Sequence, residues 1–227
     1  MQGVRRRAAW EGHFGEWTAP FLDALGHKAR RRWAPVYLRG LIAPGERKSV
    51  QPLAARVAPD DYEQLYHFVC TSAWDTAPLE QVLVAQAEAL VGGPEAVLII
   101  DDTTLPKRGM HSVGVVHQYS GQLGKRTPCQ LLVSLTLARH EVPVCVALRL
   151  FLPEAWTSDP DRCAAAGVPP VRYTTHRTRW EIALEELDRV RAAGATFGLV
   201  LADAGCGGCP AEQGSRHTVR AASSARR

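Results

Sequence analysis

At 227 residues, with 46% hydrophobic and 22% charged side chains, the chain can bury one ordinary core or join a small helical domain to a larger one. No run reaches the ~18 apolar residues of a membrane helix, and Met1 to Trp10 holds three arginines but no apolar signal-peptide core, so a soluble cytoplasmic protein without a membrane partner is expected. The formal charge is only +4, yet residues 1–50 carry ten Lys and Arg against four Asp and Glu, an asymmetry that fits a nucleic-acid protein and fits a solvated helical surface as well.

Residues 1–92 read as a helical, basic region. Within it Arg30, Arg31 and Arg32, next to Trp33, are placed either to grip DNA phosphates or to form the wet face of a helix packed through Trp33 and Tyr37. Asp60 and Asp61 precede a helical face made of Tyr62, Leu65, Tyr66 and Val69, and Val82, Leu83, Ala87 and Leu90 keep helical register until Gly92-Gly93-Pro94 stops it. The period then changes: Val97-Leu98-Ile99-Ile100 is a continuous apolar run of the kind found in a strand buried on both faces. Strand-like segments follow at Gln130 to Leu137 and Val142 to Leu152, separated by a stretch short enough for a hairpin. After a connector rich in Pro and Ala, a capping box at Thr178-Arg179-Trp180-Glu181 announces a helix that ends near Gly194. Phe197 to Ala202 is a last buried strand, stopping at Asp203.

Three strands in meander order, a helix, and a fourth strand parallel to the first make the opening half of a ribonuclease-H-like α/β fold. The expected organisation is a helical region over 1–92, a partial mixed sheet over 93–209, and a tail over 210–227 without apolar periodicity, expected to be disordered. Asp102 and Asp203 each stand at the C-terminal end of an apolar strand, where open sheets present their ligands. Converging carboxylates of this kind can hold a pair of divalent cations roughly 3.5–4 Å apart, which activate the attacking oxygen and stabilise the leaving one in phosphodiester chemistry. Adjacent residues on a strand face opposite ways, so only one of Asp101 and Asp102 can serve, and alternation alone does not choose. Read singly, each acid is better taken as a turn or cap residue; two acids at two strand ends in this order of elements shift the balance toward a metal site.

Several blocks make the resemblance specific. Ile99-Ile100-Asp101-Asp102-Thr103-Thr104-Leu105-Pro106-Lys107-Arg108-Gly109, His111 to Val115, Gln118 to Gly121 with Gly124-Lys125, and Leu199-Val200-Leu201-Ala202-Asp203-Ala204-Gly205 resemble the DDE superfamily endonucleases of bacterial insertion sequences. Glu46 to Pro52 and Leu150 to Trp156 are similar to further blocks of these transposases, and the likeness runs from about residue 15 to about 209. The resemblance implies Asp102 and Asp203 as catalytic, metal-binding aspartates, with Mg²⁺ or Mn²⁺ as cofactor and Asp101 as a neighbour. It implies double-stranded DNA, element ends and target, as partner, with a nucleoid location, and it admits a homo-oligomer. The implied reaction is metal-dependent hydrolysis that frees a 3′-hydroxyl, followed by attack of that hydroxyl on target DNA. Lys107, Arg108, Lys125 and Arg126, flanking the proposed site, either hold DNA there or solubilise a hairpin.

The pattern breaks near Cys206. The family's third carboxylate, a glutamate on a late helix, has no counterpart, and Glu212 is not a credible substitute, so a frameshifted or truncated, inactive fragment is expected. The alternatives are a DNA-binding remnant that interferes with an intact transposase, and an unrelated metal-dependent hydrolase of small phosphoesters. Cys206 and Cys209 have C-x-x-C spacing but no second pair to complete a zinc set, and the other four cysteines are scattered singly. His111 and His117 read as loop hydrogen-bonders, since Mg²⁺ prefers oxygen.

Overall fold

The computed structural model describes residues 2–72, 75–203 and 216–219, with side chains described at 9–72 and 75–202. Two compact units divide between Leu83 and Val84. The first contains α1 (Gln2–Leu25), α2 (Lys28–Ile42), α3 (Val50–Val57), α4 (Tyr62–Tyr66), a π-helical turn at His67–Thr71, and the opening turns of α5 (Ala77–Val91). Its core is built from Leu25, Trp33, Leu53, Leu65 and Phe68. Helices α2 and α3 approach closely because position 40 is glycine: a Cβ there would lie 2.5 Å from the Leu53 side chain.

The second unit begins with the rest of α5 and continues through β1 (Val97–Pro106), β2 (Val116–Ser120), β3 (Lys125–Arg139) and β4 (Val142–Leu150). Short helices α6 (Glu154–Thr157) and α7 (Pro160–Ala165) lead to α8 (Arg179–Ala192), then β5 (Leu199–Asp203) and β6 (Arg216–Val219). Strand order is β2-β3-β1-β5-β6, with β4 also paired to β3. Among the described residues β1 and β5 run parallel and the other pairings are antiparallel. The fold is therefore α/β, a helical region followed by the partial ribonuclease-H-like mixed sheet that the sequence predicts.

On one face of the sheet Leu98 and Ile100 of β1 stand in register with Leu137 and Leu135 of β3, and they share a buried cluster with Ile182, Ala183 and Val190 of α8. Burying an aliphatic side chain of this size contributes about 1.5–3 kcal/mol, so this face fixes which side of each strand points inward. Strand β5 enters beside β1 at Gly198, whose N–H donates to the Ala96 carbonyl at 3.0 Å. A Cβ at position 198 would stand 2.0 Å from the Pro94 carbonyl oxygen, so only glycine fits this approach.

The structure differs from the sequence-based expectation in three places. Strand β1 runs on past Ile100 to Pro106, because its ladder with β3 continues from Asp101↔Ser134 to Pro106↔Cys129 although the continuous apolar run has ended and the side chains there are half-buried or exposed. A further strand, β2, pairs with the start of β3, which opens at Lys125 rather than Gln130. In the segment expected to lack structure, Arg216–Val219 pairs antiparallel with β5, Val200↔Val219 to Asp203↔Arg216. Backbone pairing on an open strand edge needs no apolar pattern, which is why periodicity did not reveal it. Among the described residues no helix is long and apolar enough to cross a membrane.

Candidate metal centre

Alternation along β1 carries the inward face past Ile100 to Asp102, which stands opposite Val133 of β3. Asp101 lies on the other side, exposed. Its Oδ1 accepts the Asp102 backbone N–H at 2.8 Å, and its carbonyl accepts from the Ser134 hydroxyl at 3.0 Å. The two neighbouring acids therefore have separate surroundings: Asp101 braces the backbone on the wet side, while Asp102 enters the space beneath the start of α8.

There Asp102, with its side chain 16% exposed, accepts a hydrogen bond on Oδ2 from Nη1 of Arg179 at 2.5 Å. Its other oxygen, Oδ1, is buried and has no hydrogen-bond partner among the described residues. A buried carboxylate oxygen lacking a donor is costly, and a hard cation with oxygen preference is a chemical group that would satisfy it. Asp102 thus fits a divalent metal. Among the described residues no three His, Cys, Asp or Glu side chains come together as a complete ligand set.

Parallel pairing of β1 with β5 runs from Val97↔Leu199 to Ile100↔Ala202, so both strands end on the same edge of the sheet. The backbone of Asp203 is one residue beyond the last registered pair, and that of Asp102 is two residues beyond it on the neighbouring strand. The Asp203 side chain lies outside the described residues, as do Cys206, Cys209 and Glu212.

The expected DNA-contacting residues fall in two groups, one in each unit. In the second unit, Lys107 follows β1 and its N–H donates to the Pro128 carbonyl at 2.8 Å, while Arg108 is exposed. Lys125 and Arg126 open β3, and Arg126 donates from Nη2 to the His117 carbonyl at 3.0 Å. His111 and His117 are exposed. The loop after β1 is tied down from the connector: Trp156, 1% exposed, donates Nε1–H to the Val115 carbonyl at 3.0 Å, and Arg162 stacks on that indole and donates to the Met110 carbonyl at 3.2 Å.

In the first unit Arg31 pairs with Asp23. Arg32 pairs with Asp61 at 3.8 Å and lies 4.9 Å over the Trp33 ring. Arg30 lines a cavity of about 600 Å³ together with His27, Trp33, Glu63 and His67.

Sequence reading passed over Arg179, naming it only as part of a capping box. One signal was present, since a cation in the first turn of a helix opposes the macrodipole and needs a local reason.

Helical region, mixed sheet and strand-end acids define a ribonuclease-H-like α/β chain with a half-buried carboxylate suited to a cation. A family model described as DDE superfamily endonuclease matches residues 20–223, and the chain belongs to that family. It is also similar to the probable transposase for insertion sequence element IS701 of Microchaete diplosiphon, with 27% identity over 164 residues. That match covers 72% of this chain and 40% of the relative, so the chain spans less than half the length of the protein it resembles.

Proposed function

We propose that this chain is part of an insertion-sequence transposase and carries two of the carboxylates, Asp102 and Asp203, that hold Mg²⁺ or Mn²⁺ against a DNA backbone. The single observation that carries the reading is the buried Oδ1 of Asp102, unpartnered among the described residues, at the strand end beside β5. A divalent cation at that edge supplies Lewis-acid activation of the attacking oxygen and stabilises the leaving one. The chain's own residues do the rest: Asp102 offers Oδ1, Asp203 is the second ligand, and Lys107, Arg108, Lys125 and Arg126 neutralise phosphates along the approach.

The described residues bring together no group of three ligand side chains, so the polypeptide by itself is expected to show no strand cleavage or transfer. Nicking of double-stranded DNA that disappears in Asp102→Ala would overturn that expectation. The metal site itself is tested by replacing Mg²⁺ with Fe²⁺ in the presence of ascorbate and peroxide, so that hydroxyl radicals cut the polypeptide beside the ion. Scission near residues 102 and 203 that is lost in Asp102→Asn supports the site; scission elsewhere, or an unchanged pattern in the variant, removes it.

A second reading rests on the separate compact unit Met1–Leu83, which has its own buried core. In that reading the helical region binds DNA without chemistry and interferes with an intact transposase. Binding without cleavage, together with reduced transposition when the chain is co-expressed with an intact enzyme, favours it.

A further inference from the structure

We propose that Arg179 is a positioning residue: it holds Asp102 through Oδ2 and thereby keeps Oδ1 in place for a divalent cation. This rests on the reading of Asp102 as a metal ligand and assigns that site its supporting group.

Two buried or half-buried carboxylates, Glu186 on α8 and Asp102 against its first residue, are treated differently. Glu186 has both oxygens engaged, Oε1 by Nε of Arg149 at 2.6 Å and Oε2 by Nε of Arg189 at 2.7 Å. Among the described residues Asp102 is gripped at one oxygen, and its buried Oδ1 has no donor. An Arg fork can take a carboxylate by both oxygens, and that bidentate form is the stronger one. The one-sided grip at Asp102 leaves an acceptor that the described residues do not use.

Placement of Arg179 supports the same assignment. It is the first residue of α8, directly after the N-cap Thr178, whose hydroxyl accepts the Glu181 N–H at 3.2 Å while the Glu181 carboxylate accepts the Thr178 N–H at 2.7 Å. A cation in this turn opposes the helix dipole, and local rules are broken mainly where function compensates. The capping box fixes the backbone of the turn, so the guanidinium is delivered to Asp102 from a rigid base. Groups that orient a metal ligand are worth about 10–100-fold in metal affinity.

The test titrates Mn²⁺ into the metal-free full chain, with electron paramagnetic resonance counting free ion, for wild type, Arg179→Met, Arg179→Lys and Asp102→Asn; circular dichroism checks that each is folded. Expected results are a large loss in Asp102→Asn, a 10–100-fold weaker Kd in Arg179→Met, substantial recovery in Arg179→Lys, and no additional loss when Arg179→Met is placed on Asp102→Asn. An unchanged or tighter Kd in Arg179→Met, with Asp102→Asn still impaired, overturns the positioning role and leaves the metal site standing. Should Asp102→Asn bind Mn²⁺ as wild type does, or should wild type bind none, the metal reading fails and takes this proposal with it. If Arg179→Met does not fold, the Arg179→Gln variant is read by the same criteria.

Discussion

Glu186 gives the clearest residue-scale prediction. It is 7% exposed on α8 and joins that helix to β4 through Arg149, with Arg189 completing the cluster and reaching the Val146 carbonyl at 3.1 Å. Removing the carboxylate takes from both half-buried guanidinium groups the acid that lies between them, so Glu186→Ala is expected to cost about 3 kcal/mol. Urea unfolding followed by circular dichroism measures it, and a loss below about 1 kcal/mol would mean that water already screens the cluster. The cluster was not legible in the sequence, because residues 149, 186 and 189 meet only once α8 lies across the sheet. The same long-range fact separates Asp101 from Asp102. Strand alternation says that they face opposite ways, but only the position of α8 tells which of them enters the covered side.

At the scale of elements, the start of α8 was the most legible feature, since a capping box is a local pattern whose partners are three residues apart. Both of its reciprocal hydrogen bonds are present. Thr178→Ala is expected to cost about 1 kcal/mol by removing the cap. Hydrogen bonds from the Thr178 backbone N–H and hydroxyl hold the Glu181 carboxyl below its ordinary value of 4.5. A depressed folded-state pKa stabilises the fold above the unfolded value and ceases to do so as pH falls through the folded one. Glu181→Gln should therefore lower Tm at pH 7 and make no difference once the pH lies below the depressed pKa, a convergence that paired thermal melts across pH 2–7 would reveal. Equal differences at both ends of that range would assign the effect to something other than ionisation. The strand segments were legible where both faces are apolar, as at Val97 to Ile100, and invisible where backbone pairing outlasts the apolar pattern, as at Asp101 to Pro106. The connection between β3 and β4 was legible as a hairpin from its length, but not its turn geometry. Its residues His140 and Glu141 adopt φ of 51° and 66° without a glycine, so the hairpin is imposed by the register of its strands rather than by turn chemistry.

For the whole molecule the informative quantity is the uneven distribution of charge, with the basic surplus in the first fifty residues and the proposed metal-holding acids in the second unit. Ion pairs hold Arg31 and Arg32 to Asp23 and Asp61, but the side chains are 48% and 68% exposed. Exposed pairs of this kind are worth at most about 1 kcal/mol and are screened by salt, so a phosphate can replace the carboxylate at little cost. If the helical unit grips DNA through Arg30, Arg31 and Arg32, each phosphate neutralised releases counterions and adds about 0.9 to the slope of log K against log salt concentration. Replacing all three with alanine should then flatten the slope measured on a double-stranded fragment by about 2–3 and weaken binding similarly on any sequence. Substituting Lys107, Arg108, Lys125 and Arg126 instead separates the two units' contributions, because the slope lost there belongs to the strand-end site. A slope unchanged by the Arg30, Arg31 and Arg32 variant would return these residues to their other reading, a solvated helix face on which Arg32 shields Trp33, and would leave any DNA grip to the residues around Asp102.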